Sequence, residues 1–273
     1  MTARSTRAVI LARGLGTRMR REDPATALDD EQSRVAARGI KAMIPIGRPF
    51  LDYVLSALAD AGYHDVCLVI GPEHDVVREH YTHGVTLTRL RVHFAIQERP
   101  LGTADAVLAA EQFAGGERVL VLNSDNYYPV DTYTALAGIP GSGVAAFERR
   151  ALVRESNIPA ERVQQFAMLM TGPDGMLAQI IEKPDAATMA TFGDDALVSM
   201  NCWMFTPAIF EACRRVRPSA RNELELPEAV RIAITELGER VAVVRVKGGV
   251  LDLSSRGDIA EVKARLAGVT VRL

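Results

Sequence analysis

Short β-branched apolar runs alternate with longer segments of helical periodicity through the first half of the chain. Residues 7–12, 65–70, 91–97 and 118–122 read as strands, and 49–61, 73–81, 103–113 and 130–137 as helices. Such alternation needs crossover connections, and so it predicts a mostly parallel sheet with helices on both faces. In that architecture ligands sit beyond the carboxyl ends of the strands. After Gly138 the rhythm changes. Residues 143–148, 164–170, 176–182 and 197–205 are strand-like with no long helix between them. Helices are expected at 207–215, 225–237 and 255–266, with strands at 241–246 and 250–253. No linker, low-complexity stretch or internal repeat interrupts the chain, which predicts a single α/β domain over 1–273. Residues 20–39 break the pattern, being polar, charged and weakly periodic. They read as a loop of about 20 residues, a length that is usually functional or mobile.

Composition narrows the possibilities. Hydrophobic residues make up 48% of the 273, enough to bury a sizeable core. The 34 acidic and 32 basic residues leave a net charge of -2, which argues against nucleic-acid binding. An anionic ligand must then be held by a local cluster of basic groups. Cys67, Cys202 and Cys213 show no metal-ligand spacing, and Cys67 lies inside the apolar run 66–70, which predicts a buried thiol. Free thiols of this kind fit a reducing cytoplasm. No signal peptide is expected from the polar residues 1–7. No run of about 18 apolar residues predicts a membrane span.

The candidate chemistry falls at the predicted strand ends. After the first strand comes Leu11-Ala12-Arg13-Gly14-Leu15-Gly16-Thr17-Arg18. Its glycines permit positive φ and close approach of backbone N–H groups to an anion, and Arg18 adds a charge-assisted grip on phosphate. The dinucleotide fingerprint is absent, because Met19 stands where a third glycine belongs. No Gly-Lys-Ser/Thr follows, so it is not a Walker loop either. Lys41, just before an apolar run, can point its ammonium back at the glycine turn. Gln97 offers a donor and an acceptor suited to a nucleobase edge. Gly102 lets a flat ring approach the backbone, and Thr103 can cap the following helix or bind ligand. Asp125 follows a buried strand, where a carboxylate can hold a hard cation. Glu182 and Lys183 pair a hydroxyl acceptor with a phosphate counter-charge. Asn201 is a polar residue amid a hydrophobic strand, and Asp252 is a second strand-borne carboxylate able to complete a cation site with Asp125.

In this order the motifs resemble the sugar-1-phosphate nucleotidyltransferase family, the nucleoside-diphosphate-sugar pyrophosphorylases, from Ala8 to about Leu266. The resemblance implies a Rossmann-like, GT-A-like nucleotidyltransferase fold. It implies a nucleotide-binding half at about 1–138 and a mixed-strand, sugar-phosphate-binding half at about 139–273. It implies that Leu11, Ala12, Gly14, Gly16 and Thr17 hold the nucleotide, while Gln97, Gly102 and Thr103 meet the base. Arg18 would neutralise departing pyrophosphate, Lys41 the α-phosphate and Lys183 the sugar phosphate. Glu182 and Asn201 would bind sugar hydroxyls, and Asp125 and Asp252 would share Mg²⁺. The implied reaction joins a nucleoside triphosphate to a sugar 1-phosphate, with UTP or dTTP favoured because Gln97 suits a pyrimidine edge. Guanylyl or cytidylyl transfer, another phosphorylated acceptor, and a non-catalytic nucleotide-sugar sensor remain open, as does a homo-oligomeric state. Neither nucleic acid nor membrane is an expected partner.

The chain departs from the family pattern at several points. Arg13 stands where Gly or Ala is usual, the interval from Arg18 to Lys41 is longer, and Ile40 replaces a proline. Val250-Leu251 lacks the usual aromatic before the second metal motif, and Ser254-Ser255-Arg256 replaces a Gly-Thr-Pro-like continuation. No hexapeptide repeats follow, so no β-helix domain is expected.

Overall fold

The computed structural model describes residues 5–193 and 196–273; the polar opening at 1–4 lies outside them. Its strands are β1 (Arg7–Leu11), β2 (Asp65–Ile70), β3 (Arg91–Ile96), β4 (Val119–Asn123), β5 (Asn126–Tyr127), β6 (Ser142–Glu148), β7 (Ala167–Thr171), β8 (Leu177–Ile181), β9 (Leu197–Phe205), β10 (Val241–Val246) and β11 (Leu251–Asp252). The helices are α1 (Thr17–Arg20), α2 (Asp30–Arg38), α3 (Phe50–Asp60), α4 (Asp75–Glu79), α5 (Thr103–Ala109), α6 (Glu111–Ala114), α7 (Val130–Gly138), α8 (Arg149–Glu155), α9 (Ala160–Val163), α10 (Ala186–Phe192), α11 (Ala208–Arg215), α12 (Leu226–Thr235) and α13 (Asp258–Leu266).

The main sheet runs β10-β6-β9-β4-β1-β2-β3, with the β7–β8 hairpin joined to β9. β3, β2, β1 and β4 are parallel neighbours, as the alternating pattern predicts, and β10 is parallel to β6. β9 runs antiparallel between β4 and β6. β2 is buried along nearly its whole length, which is why its sequence is a continuous apolar run. Odd and even strand positions face different cores. Ala8 and Ile10 pack with Leu55 of α3, Leu136 of α7 and Val262 of α13. Val9 packs with Val107 of α5, Phe210 of α11 and Val230 of α12. Cys67, Cys202 and Cys213 are free and buried, and burial pushes the Cys67 and Cys213 thiols up to about 12. Among the described residues no helix is long and apolar enough to cross a membrane.

The expected loop at 20–39 is instead built around α2. Asp29 caps it by accepting from Gln32 N at 2.8 Å, and Gln32 Oε1 accepts from Asp29 N at 3.3 Å, a reciprocal capping box. Gly39, at φ +74°, ends the helix in the left-handed conformation. The helix buries only Gln32 and Ala36, so its apolar stripe is narrow amid charged residues. Four further short helices, α1, α8, α9 and α10, fall where no helix was expected, and α9 with the turn after it delays the start of β7 to Ala167.

Candidate active site

A cavity of about 280 Å³ opens at the carboxyl ends of β1, β3 and β4. Leu11, Ala12, Gly14, Lys41, Gln97, Gly102, Thr103 and Asp125 line it together, although they are spread over more than a hundred positions of sequence. Gly16, Thr17 and Arg18 do not line it: Thr17 and Arg18 lie on α1 with exposed side chains. Gly16 has a packing task, since at φ +60° a Cβ there would lie 2.1 Å from Gly39 O. The glycine loop is thereby pressed against the end of α2, and Arg20 fastens the contact by donating to Arg38 O. The chain then passes into a 3₁₀ turn, Lys41–Met43, that presents the lysine.

All three residues expected to meet the base have additional neighbours. Gln97 is 4% exposed and its Nε2 donates to Gly102 O at 3.0 Å and to Asp105 Oδ2 at 2.8 Å. Both amide hydrogens are therefore used, and Oε1 is left as an acceptor. At Gly102 (φ +126°) it is the Leu224 backbone that makes the close approach, and a Cβ would lie 2.4 Å from Leu224 O. Thr103 does not cap α5; its hydroxyl accepts from Leu226 N at 2.8 Å.

Lys41 Nζ lies 2.8 Å from Asp125 Oδ2. Beyond this pair, β5 and β11 form a small antiparallel ladder that sets Asp252 opposite Asn126, and Leu253 N donates to Asp125 O. The two carboxylates expected to share a cation are thus neighbours in space, but their surroundings differ. Asp125 Oδ1 has no hydrogen-bond partner among the described residues, Lys41 being on Oδ2. Asp252 is 3% exposed; its Oδ1 accepts from Asn126 Nδ2 and Ser254 Oγ, and its Oδ2 from Arg162. Burial and the Asp125 charge raise the Asp252 pKa to about 6, against the opposing pull of Arg162. Arg162 also bonds Asp258 Oδ1 at 2.8 Å, while Asp258 Oδ2 accepts from Ser254 N, Ser255 N and Ser255 Oγ. The unusual Ser254-Ser255-Arg256 sequence therefore builds a cradle, with Arg256 Nε reaching Met19 O at 3.0 Å.

A second chamber of about 180 Å³ adjoins the first, sharing Leu11, Thr103, Asn123 and Glu223 with it. Glu182, Lys183 and Asn201 meet there, as the motif order suggests. Lys183 and Asn201 both hold positive φ, +42° and +57°, conformations that cost energy and cluster at ligand sites. Asn201 sits where β9 bulges against β6: Ala146 pairs with Ser199 but Val144 with Trp203. Such a bulge redirects a side chain out of the ladder. Arg221 and Glu225 complete the chamber, with Arg221 Nη2 3.0 Å from Glu225 Oε1. Partial desolvation, then the Glu225 charge, raises the Glu182 pKa, while Arg221 and Lys183 oppose the shift. Sequence reasoning missed Arg162, Asn157, Arg221, Glu223 and Glu225. Only the charged run 221–225, directly before a helix, carried a readable signal.

Residues 7–266 match the nucleotidyl transferase family, and the chain belongs to it. The family expected from the motif order is thereby borne out, as is the α/β fold. Relatives include a UTP–glucose-1-phosphate uridylyltransferase of Haloferax volcanii, 29% identical over 97% of this chain and 98% of that protein. A glucose-1-phosphate thymidylyltransferase of Streptomyces antibioticus is 30% identical over 94% of this chain, which spans 65% of that longer protein. A UDP-glucose pyrophosphorylase solved with UDP-glucose superposes with a TM-score of 0.73 over 96% of this chain and 98% of that one. At 19% identity the superposition bears on the fold alone.

Proposed function

We propose that the chain transfers a nucleoside monophosphate from UTP or dTTP to a sugar 1-phosphate and releases pyrophosphate. The observation that carries this reading is the pair of adjoining chambers, one holding Gln97, Lys41 and Asp125 and the other Glu182, Lys183 and Asn201. Two relatives named for uridylyl and thymidylyl transfer to glucose 1-phosphate support it. The nucleotide occupies the half formed by residues 1–138 and the sugar phosphate the half formed by 139–273. Buried free thiols support a reducing, cytoplasmic setting.

The sugar phosphate oxygen is already anionic, so no general base is required. It attacks the α-phosphorus; a P–O bond forms there as the bond to the β-phosphate oxygen breaks, and pyrophosphate leaves with that electron pair. The protein's task is to align two polyanions and screen their charge. Leu11, Ala12 and Gly14 form the wall against which the nucleotide lies, with Gly16 and Thr17 shaping the loop, while the Ala12 amide itself is spent on Val69 O. Gln97, Gly102 and Thr103 form the base end. Lys41 faces the α-phosphate, and Arg18 at the outer end of the loop receives the pyrophosphate charge. Lys183 and Arg221 hold the sugar phosphate, while Glu182 and Asn201 accept and donate to sugar hydroxyls. The donor set fits Mg²⁺ in a particular way. Asp125 offers a free carboxylate oxygen, while Asp252 stands behind it with both oxygens engaged. Magnesium commonly takes one or two carboxylates plus phosphate oxygens, and here it would supply charge screening at the α-phosphate.

The test is pyrophosphate release in magnesium buffer, crossing ATP, GTP, CTP, UTP and dTTP with a panel of sugar 1-phosphates. A productive UTP or dTTP pair that is lost in Asp125→Ala supports the reading. Tight nucleotide-sugar binding with no pyrophosphate from any pair would replace it with a non-catalytic sensor.

A further inference from the structure

Arg13 is a cation of the nucleotide loop that the proposed reaction does not use. Its side chain is 7% exposed and lines the nucleotide cavity. Its protein partner is Glu73, which is 53% exposed and held only at 3.3 and 3.4 Å. Nη1 is buried and has no hydrogen-bond partner among the described residues. A guanidinium N–H left in this state costs free energy unless an acceptor arrives.

The strands say which part of a nucleotide could supply that acceptor. Val9 and Leu11 of β1, Cys67 and Val69 of β2, and Ala95 of β3 all face the core under α5. The ladder continues one step past the strands, with Ala12 N donating to Val69 O and Gln97 N to Ile70 O, both at 2.9 Å. By the same alternation Arg13, Gly71 and Gln97 fall on the α5 face, side by side at the sheet's carboxyl edge. Adjacent strands are about 4.8 Å apart, so Arg13 and Gln97 stand about 10 Å apart across Gly71. Gly71 leaves room for the guanidinium, since a Cβ there would lie 2.5 Å from Arg13 Nε. Asp125 lies on the other side of β1, at the end of β4. Arg13 therefore belongs to the base end of the cavity rather than the phosphate end.

We infer that Arg13 is a base-reading residue whose guanidinium, released from its loose contact with Glu73, donates to a ring carbonyl of uracil or thymine while Gln97 Oε1 accepts from the adjacent imide N–H. A donor beside an acceptor matches the imide edge, where N3–H adjoins a carbonyl. It opposes cytosine, which presents an acceptor at N3 and a donor at N4. Arg13 thus deepens the proposed function by setting the base class, and it rests on that reading.

The experiment is calorimetric binding of UTP, dTTP, CTP, ATP and GTP to the full chain and to Arg13→Met, which keeps the stem and removes the donors. The expected result is a loss of about 10-fold or more for UTP and dTTP with CTP little changed, so that discrimination collapses. An equal loss for every nucleotide would make Arg13 a phosphate ligand, and no loss would leave it structural; either overturns the inference. Because Arg13→Met can fail to fold, 2-thio-UTP and 4-thio-UTP are also titrated into the unaltered protein. Weaker binding of one of them supports a carbonyl contact, and binding of both equal to UTP overturns it. If the unaltered protein binds uridine nucleotides but ignores these changes, only this inference falls. If it binds no nucleoside triphosphate, the proposed function falls with it.

Discussion

Lys41 and Asp125, 84 residues apart in sequence, meet at 2.8 Å on the wall of the nucleotide cavity. In the proposed reaction each neutralises the other until a triphosphate and its cation arrive, when the ammonium would face phosphate and the carboxylate metal. The pair is a functional device more than a structural brace. Lys41→Met is expected to lower kcat by about 100- to 1000-fold, the usual effect of removing a group that stabilises transition-state charge. Stability should fall by only about 1 kcal/mol, since the pair opens onto a solvated cavity. Steady-state kinetics beside thermal melting checks both figures, and a melting collapse with intact kcat would reverse the assignment.

Arg162 does the opposite kind of work. Its guanidinium spans Asp252 and Asp258 with 17% of the side chain exposed. Removing it leaves two carboxylates facing each other in a poorly solvated pocket. Arg162→Met is expected to destabilise the protein by about 3–5 kcal/mol, as breaking a buried ion pair from one side does. Chemical denaturation measures this. A loss under about 1 kcal/mol, the range of an exposed pair, would show that water reaches the carboxylates after all.

These two pairs also mark how far the sequence could be read. Gly14, Gln97 and Asp125 were legible because each follows an apolar strand directly, and the end of a strand is local information. Arg162 and Asn157 were not. Their meaning lies in hydrogen bonds to Asp252 across 90 and 95 residues, and nothing near them in sequence announces it. The α2 helix shows a different limit. Its signal lay in its ends, Asp29-x-x-Gln32 and Gly39, while its narrow apolar stripe is outweighed by the charged residues around it. Gly102 was read as a place for a flat ring, whereas its missing side chain makes room for the Leu224 backbone.

That contact yields a third prediction. A Cβ at Gly102 would lie 2.4 Å from Leu224 O and 2.6 Å from Leu224 N, and the backbone there holds φ +126°. Gly102→Ala should displace the 221–225 segment that lines the second chamber, the one proposed to take the sugar. The expected outcome is a raised KM for the sugar phosphate and a loss of about 1–3 kcal/mol in stability. Gly14→Ala is the comparison, because a Cβ there meets nothing within 4 Å. Equal stability loss in the two variants would sink the argument from close approach.

One step of the acid limb of the pH–activity profile should report Glu182, alongside a step from Asp252, whose pKa burial and the Asp125 charge raise to about 6. The Glu182 pKa is raised first by desolvation and then by the neighbouring Glu225 charge. If the ionised carboxylate is what accepts from the sugar hydroxyls, activity falls as pH drops through this raised value, so the limb lies above the ordinary carboxylate range. The sign of a change at Glu225 follows. Glu225→Gln removes a like charge, lowers the Glu182 pKa and moves the limb to lower pH, while Arg221 loses a partner and gains freedom to face the sugar phosphate. Glu182→Gln should remove the Glu182 step of the limb and raise the KM for the sugar phosphate more than the KM for the nucleotide. Profiles of kcat/KM against pH for the unaltered chain and both variants decide the matter. A limb that stays in place in Glu225→Gln, or moves to higher pH, would show that another group governs the acid side.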